Sequence, residues 1–199
     1  MRLCQCRWPA YVYASVGGGF LVGQNVERNS EIDAGAGFSY PIYTTPTQEV
    51  RAGAQVIYFG YDKNLQNFTL GQGGYFSPQQ YYALLFPISL KQQVTPDVVV
   101  NLGGSIGVQS YHTKSSDIFP SDPALENQLI QASATTPGGV ATRYSGNRFT
   151  GIAGGAHADI DYRVTSNLHI GASAGFDRSG DFTEGTGLVY ARYVFNDPQ

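Results

Sequence analysis

The sequence predicts an all-β protein, an antiparallel transmembrane β-barrel of about eight strands, and three observations carry that prediction. Only 14% of the 199 residues are charged, against roughly 25% in an average soluble domain. Glycine occurs 25 times beside 14 Tyr and 11 Phe, with one Trp and one Met. Apolar residues recur with a period of two over segments longer than the ~5–6 residues usual in soluble sheets.

The composition excludes several classes. Many aromatics and few charges argue against disorder, and the glycines lack the three-residue period of collagen. Mean hydropathy is −0.20, and the longest apolar runs, Ala83-Leu84-Leu85-Phe86 and Val98-Val99-Val100, fall far short of the ~18 residues of a helical span. A net charge of −3 with scattered basic residues gives no footprint for nucleic acid. Cys4 and Cys6 have no second Cys or His pair at zinc spacing, so neither a metal nor a cofactor is expected. Residues 1–10 lack the apolar stretch of a secretory signal and read as an unstructured leader from a displaced start, with the barrel region over 11–199.

Along the chain, 11–23 is a first, less regular strand. In the second, Ile32, Ala34, Ala36, Phe38, Tyr40 and Ile42 share one face. Segments 48–61 and 80–92 fit less cleanly. Val98, Val100, Leu102, Ile106 and Val108 then alternate with Asn101, Ser105 and Gln109. Ile152, Ala156, Ala158, Ile160 and Tyr162 alternate with His157, Asp159, Asp161 and Arg163. Leu168, Ile170, Ala172, Ala174 and Phe176 alternate with His169, Ser173 and Asp177. The last strand, 184–195, sets Val189, Ala191, Tyr193 and Phe195 against Glu184, Tyr190 and Arg192. Period two with one apolar face marks a strand between two different environments.

Short connections are expected at 44–47, 95–97 and 165–167, and longer ones at 24–30, 62–79, 112–148 and 177–183. Short turns at one end and long loops at the other match a transmembrane barrel, which must close because unpaired edges in lipid are costly. The aromatic end at Tyr193 and Phe195 looks like the assembly signal of bacterial outer-membrane proteins, a likeness that implies short turns on the periplasmic side and long loops outside. The alternation then turns Glu31, Asp33, Arg51, Lys91, His157, Asp159, Asp161, Arg163, His169, Asp177, Glu184 and Arg192 inward. Tyr11, Tyr13, Phe59, Tyr61, Tyr81, Tyr111 and Tyr190 are expected on that same face.

The block Leu70-Gly71-Gln72-Gly73-Gly74-Tyr75-Phe76-Ser77-Pro78-Gln79-Gln80-Tyr81, after Tyr61-Asp62-Lys63-Asn64-Leu65, resembles the C-terminal outer-membrane barrel of the cellulose synthase operon protein C family. Gly23-Gln24-Asn25-Val26-Glu27, Ile118-Phe119-Pro120-Ser121-Asp122 and Arg163-Val164-Thr165-Ser166-Asn167 also look like that family, and the likeness covers roughly 10–195. The resemblance implies a cellulose-export subunit in the bacterial outer membrane. Its partners would be a β-1,4-glucan chain, outer-membrane lipid and the barrel assembly machinery. An inner-membrane cellulose synthase complex would be reached through periplasmic helical repeats that have no counterpart here. The family barrel has sixteen strands, so this chain corresponds to its C-terminal half and is expected to be a truncated form. The rival expectation is a small closed structural or adhesion-type barrel without transport.

Candidate contacts for the glucan path or its outer loop are Tyr61, Tyr75, Phe76, Tyr81, Tyr111, Tyr190, Asp159, Asp161, Arg163 and Arg192. Pyranose rings stack on aromatics and their hydroxyls bond to charged groups, and transit needs many weak contacts. Equally, such groups form the rigid interior network that barrels carry as architecture. The Tyr61–Tyr81 loop reads either as a lid or constriction or as packing for the upper lumen. Gly71, Gly73 and Gly74 allow positive φ and close backbone approach. Asp159 and Asp161, two apart on one face beside Arg163, are expected to form a charge-balanced row rather than a catalytic set with His157. No Gly-x-Ser-x-Gly elbow is present, so no enzyme is expected.

Overall fold

The computed structural model describes residues 10–180 and 182–195; the leader expectation therefore falls almost wholly outside the described residues. Eight long strands form one antiparallel sheet: β1 (Tyr11–Gly23), β2 (Val26–Thr44), β3 (Gln48–Tyr61), β4 (Gln80–Thr95), β5 (Val98–Thr113), β8 (Asn147–Arg163), β9 (Leu168–Ser179) and β10 (Phe182–Tyr193). Each pairs with its sequence neighbour in that order. Between β5 and β8 lie a two-residue ribbon, β6 (Ser116–Asp117) with β7 (Arg143–Tyr144), and one helix, α1 (Pro123–Thr135).

The sheet curls into a half-barrel. On its concave face, side chains reach across an intervening strand: Tyr13 Oη donates to Gln55 Oε1 at 2.9 Å, and Ser179 Oγ donates to Gln109 Oε1 at 2.7 Å. β1 and β10 do not pair with each other. Among the described residues the sheet is therefore open, with one unpaired edge at each end, which counts against a small closed barrel.

Alternation runs along the long strands except at register shifts between Leu21 and Gly23, Pro41 and Tyr43, and Gln93 and Thr95, the second of which takes Ile42 out of the ladder, and it sorts the two faces. Convex positions carry Val16, Phe20, Ile106, Ile152 and Val189, which are 64–90% exposed. Buried apolar residues are few: Leu65, Ala83 and Ala153. This inverts a soluble core, and an exposed apolar surface of this extent requires an apolar partner. Tyr58 and Tyr82, whose rings lie 5.0 Å apart, mark one end of the convex face. Tyr40, Tyr162 and Tyr193 mark the other.

At the short-turn end, three threonines perform the same task. Thr45 Oγ1 accepts from the Gln48 N–H, Thr95 Oγ1 from Asp97 and Val98, and Thr165 Oγ1 from Asn167 and Leu168. A hydroxyl that accepts two or three residues on fixes a tight reversal.

At the other end, two expected long loops are hairpins. β2 begins at Val26, not at 31, because Asn25 adopts φ 58° and reverses the chain with Gln24; Asn tolerates that left-handed region. Likewise β9 runs to Ser179 and Gly180 turns at φ 64°. The 112–148 segment is not a simple loop either. β5 continues to Thr113, β8 starts at Asn147, and α1 lies between them. Asp122 caps α1, its Oδ1 accepting from Ala124 and Leu125 N–H at 3.0 Å each, with Pro123 opening the first turn, where a missing N–H does no harm.

Candidate functional site

The 62–79 loop folds over the concave face and is fixed there. Asn29 of β2, 4% exposed, donates through Nδ2 to the Lys63 carbonyl and to Tyr75 Oη at 2.9 and 2.8 Å. Its Oδ1 accepts from the Lys63 N–H at 2.9 Å. Within the loop, fully buried Ser77 accepts from the Leu65 N–H at 2.7 Å, and the Leu65 carbonyl accepts from Gly73 and Gly74. Toward the neighbouring loop, Asn64 Nδ2 donates to the Lys114 carbonyl, Thr69 Oγ1 to that of Ile118, and Gln72 Nε2 to that of Asp117.

The glycines divide their work. Gly71 and Gly74 have φ of 91° and 68°, but Gly73 does not share that conformation. Gly73 supplies the other use expected of these glycines, close approach: the Tyr75 ring lies where a Cβ would stand.

That fold delivers Phe76 onto the inner wall, where it joins a continuous chain of seven rings. Phe59 and Tyr81 stack at 4.4 Å, as do Tyr111 and Phe149 at 5.5 Å. Phe76 meets Phe59, Tyr81 and Tyr111 edge-on at 6.3, 6.5 and 5.0 Å. Tyr61 extends the chain from Phe59 to Tyr75. Edge-to-face and offset arrangements of this kind are the favoured ones for aromatic pairs. Gln109, 2% exposed, orients the group by accepting from Tyr81 Oη at 2.8 Å. Phe76, Tyr81, Tyr111, Ser179 and Phe182 line a cavity of about 510 Å³.

Farther toward the short turns, β8, β9 and β10 assemble a polar group. Asp159 accepts from Asn101 Nδ2 at 2.9 Å and from Tyr190 Oη at 3.1 Å. The same hydroxyl lies 3.3 Å from Asp161 Oδ2, while His169 Nδ1 is 2.6 Å from Asp161 Oδ1. Arg192 completes the set, with Nη2 3.5 Å from Asp161 Oδ2. Carboxylates held by so many donors form a stiff polar wall. They still carry lone pairs able to accept further hydrogen bonds.

The structure thus brings Tyr61, Tyr75, Phe76, Tyr81 and Tyr111 together, and Asp159, Asp161, Tyr190 and Arg192 together in a second group. Arg163 joins neither. Its guanidinium turns to Asp97 in the β4–β5 turn, at 2.7 Å from Oδ1. Both partners of that pair are about half exposed, so Arg163→Ala should cost no more than ~1 kcal/mol of stability by equilibrium unfolding and leave any lumen function intact.

Sequence reasoning missed Phe149, which falls between the expected loop 112–148 and Ile152, the first position assigned to the strand, and the bridging roles of Gln109 and Asn101. Extending the odd-numbered face of β8 back from Gly151 would have found Phe149.

The fold and its site define the class: half of an antiparallel β-barrel, apolar outside, with an aromatic and polar inner wall capped by a fixed loop. The family model described as cellulose synthase operon protein C C-terminus matches residues 7–196, and the chain belongs to that family. Cellulose synthase operon protein C of Komagataeibacter xylinus is 35% identical over 186 residues, covering 91% of this chain and 14% of the relative. Its namesake in Salmonella typhimurium is 32% identical (92% of this chain, 15% of the relative). That of Xanthomonas axonopodis pv. citri is 30% identical (92% and 13%). The chain therefore spans about one seventh of the length of the curated relatives it matches.

Proposed function

We propose that this chain takes part in bacterial cellulose biosynthesis as part of the wall of an outer-membrane channel, and that a β-1,4-glucan chain leaves the cell along its concave face. It works as a passive conduit rather than an enzyme. The observation that carries the reading is the seven-ring aromatic chain on that face, crossed by Phe76 from the fixed loop. A flat, neutral sugar ribbon offers apolar ring faces to stacking and hydroxyls to Asp159 and Asp161. Contacts of this sort are individually weak and repeated, as a conducting path requires.

Support for the membrane comes from the convex face. From Thr150 to Tyr162, β8 covers about 40 Å at ~3.4 Å per residue. A strand tilted by ~45° then rises about 28 Å, close to the ~25 Å apolar band of barrel proteins. The open edges at β1 and β10 favour a larger barrel, the sixteen-stranded form expected above, because lipid tolerates no unpaired strand edge. The short threonine turns then face the periplasm, and the 62–79 loop narrows the outer mouth.

The test uses a full-length exporter carrying this barrel. Tyr111→Ala should lower secreted glucan on the order of fivefold, the equivalent of ~1 kcal/mol of lost ring contact, while Tyr111→Phe retains output. Unchanged secretion by the Ala variant, with normal barrel insertion, would sink the aromatic path.

A further inference from the structure

We infer that the convex face at the long-loop end of β5 and β8 binds the phosphate of an acylated lipid headgroup. The inference rests on the membrane reading above, but not on glucan transport. In the β5–β8 ladder, successive outward pairs are Val108 with Ile152, Ser110 with Thr150, and His112 with Arg148. Apolar, hydroxyl and cationic groups thus follow one another in three steps along a single ladder. The hydroxyls of Ser110 and Thr150 are bonded to each other at 2.9 Å, which leaves the next rung to meet the ligand.

Beyond that rung, where β5 and β8 end, lies a recess of about 660 Å³, lined by His112, Lys114, Arg143, Arg148, Ser115 and Asn147. Gly146 forms its back wall against the Thr113 carbonyl and the Lys114–Ser115 peptide, where a Cβ has no room. Three permanent cations and a histidine therefore converge on one hollow in a chain of net charge −3. Asp117 neutralises Arg143 at 2.6 Å. Among the described residues no carboxylate pairs with exposed Lys114 or Arg148.

A neutral glucan has no use for this charge, and His112 and Arg148 share the outward parity of Val108 and Ile152. A phosphate does. Arg148 presents a fork that matches its oxygens, and Lys114 adds a second point charge. The apolar rung at Val108 and Ile152, both more than half exposed, lies where acyl chains attached to that phosphate would run. Basic clusters at the level of the headgroups recognise anionic lipids in this way.

The experiment reconstitutes the full-length exporter carrying this barrel in phosphatidylcholine vesicles, with or without diphosphoryl lipid A, and measures retained lipid A after flotation. Wild type should retain diphosphoryl lipid A. The Lys114→Gln/Arg148→Gln double variant should bind it about 25-fold more weakly, about fivefold for each charge removed. Dephosphorylated lipid A should bind wild type no better than the double variant binds the phosphorylated form. Arg28→Gln, at an exposed basic residue on the same end of β2, should change nothing. Equal retention by wild type and double variant, when both float with phosphatidylcholine, overturns the site and leaves the membrane reading standing. Failure of either protein to float with any vesicle overturns both. Full displacement of lipid A by millimolar inorganic phosphate would assign the recess to a free anion and reject the lipid.

Discussion

Replacing Asn29 with Leu should release the 62–79 loop while leaving the eight-stranded ladder paired. The side chain of Asn29 is the only group that bonds at once to the Lys63 N–H, the Lys63 carbonyl and Tyr75 Oη among the described residues. Leu fills a similar volume but satisfies none of them. Each buried backbone group left unpaired costs roughly 1–3 kcal/mol, so the loop loses on the order of 3 kcal/mol of its attachment. Amides that depend on loop geometry, those of Lys63, Leu65, Gly73 and Gly74, should exchange far faster, and protease should cut within 62–79. Asn29→Asp should fall between, since its carboxylate still accepts from the Lys63 and Ser30 N–H groups but donates to nothing. Exchange identical to wild type in the Leu protein would mean that the remaining bonds, those of Glu27 to Lys63 and Gly71 with those of Ser77, Gln72 and Asn64, hold the loop without Asn29.

The same loop marks the boundary of what the amino-acid pattern reveals. The centres of all eight strands and the face of nearly every candidate residue followed from alternation, because there one face carries apolar side chains and the other polar ones. Beyond that zone both faces are polar and the contrast fades. In Val26-Glu27-Arg28-Asn29-Ser30 no face is apolar, so the start of β2 was read as loop and the hairpin at Asn25 was missed. The same loss hid the start of β8, and Phe149 with it. The helix α1 had a readable signal, since Asp122-Pro123 with Glu126 in the first turn is a helix start, but its polar body carries no hydrophobic stripe and buries no residue.

The site was legible in part for a related reason. Tyr61, Tyr81, Tyr111, Asp159, Asp161, Tyr190 and Arg192 sit on strands, where parity alone assigns a face. Phe76 is on a loop, and its arrival between Phe59 and Tyr111 depends on Ser77, Pro78 and Asn29 acting together at a distance. Arg163 has the right parity and the wrong height. At the last residue of β8, a turn carboxylate at Asp97 is nearer than any group in the lumen. Parity gives the side of the wall and says nothing about how far along it a long side chain will reach.

Ile106→Lys should be among the most damaging single substitutions on the surface of this protein, although Ile106 is 64% exposed. In water, an exposed Ile to Lys change away from special features falls within about 0.5 kcal/mol of neutral. Ile106 lies at the middle of β5 on the convex face, opposite Gly154 and two residues from Val108. If that face contacts hydrocarbon, a lysine there should cost roughly 2–4 kcal/mol, because its ammonium must be desolvated or must deform the bilayer to reach the headgroups. Ser105→Lys, one residue away on the concave face, should cost far less, since its ammonium extends over Gly155 into the polar side of the sheet. Unfolding from zwitterionic bilayers measures both, and the difference between them removes the shared effects of charge and of strand propensity. Near-equal costs for the two lysines would place water on both faces of the sheet and reject the membrane. A cost confined to Ile106 fixes which side of the wall faces lipid, and with it the side along which the ring chain from Tyr75 to Phe149 is free to guide a polymer.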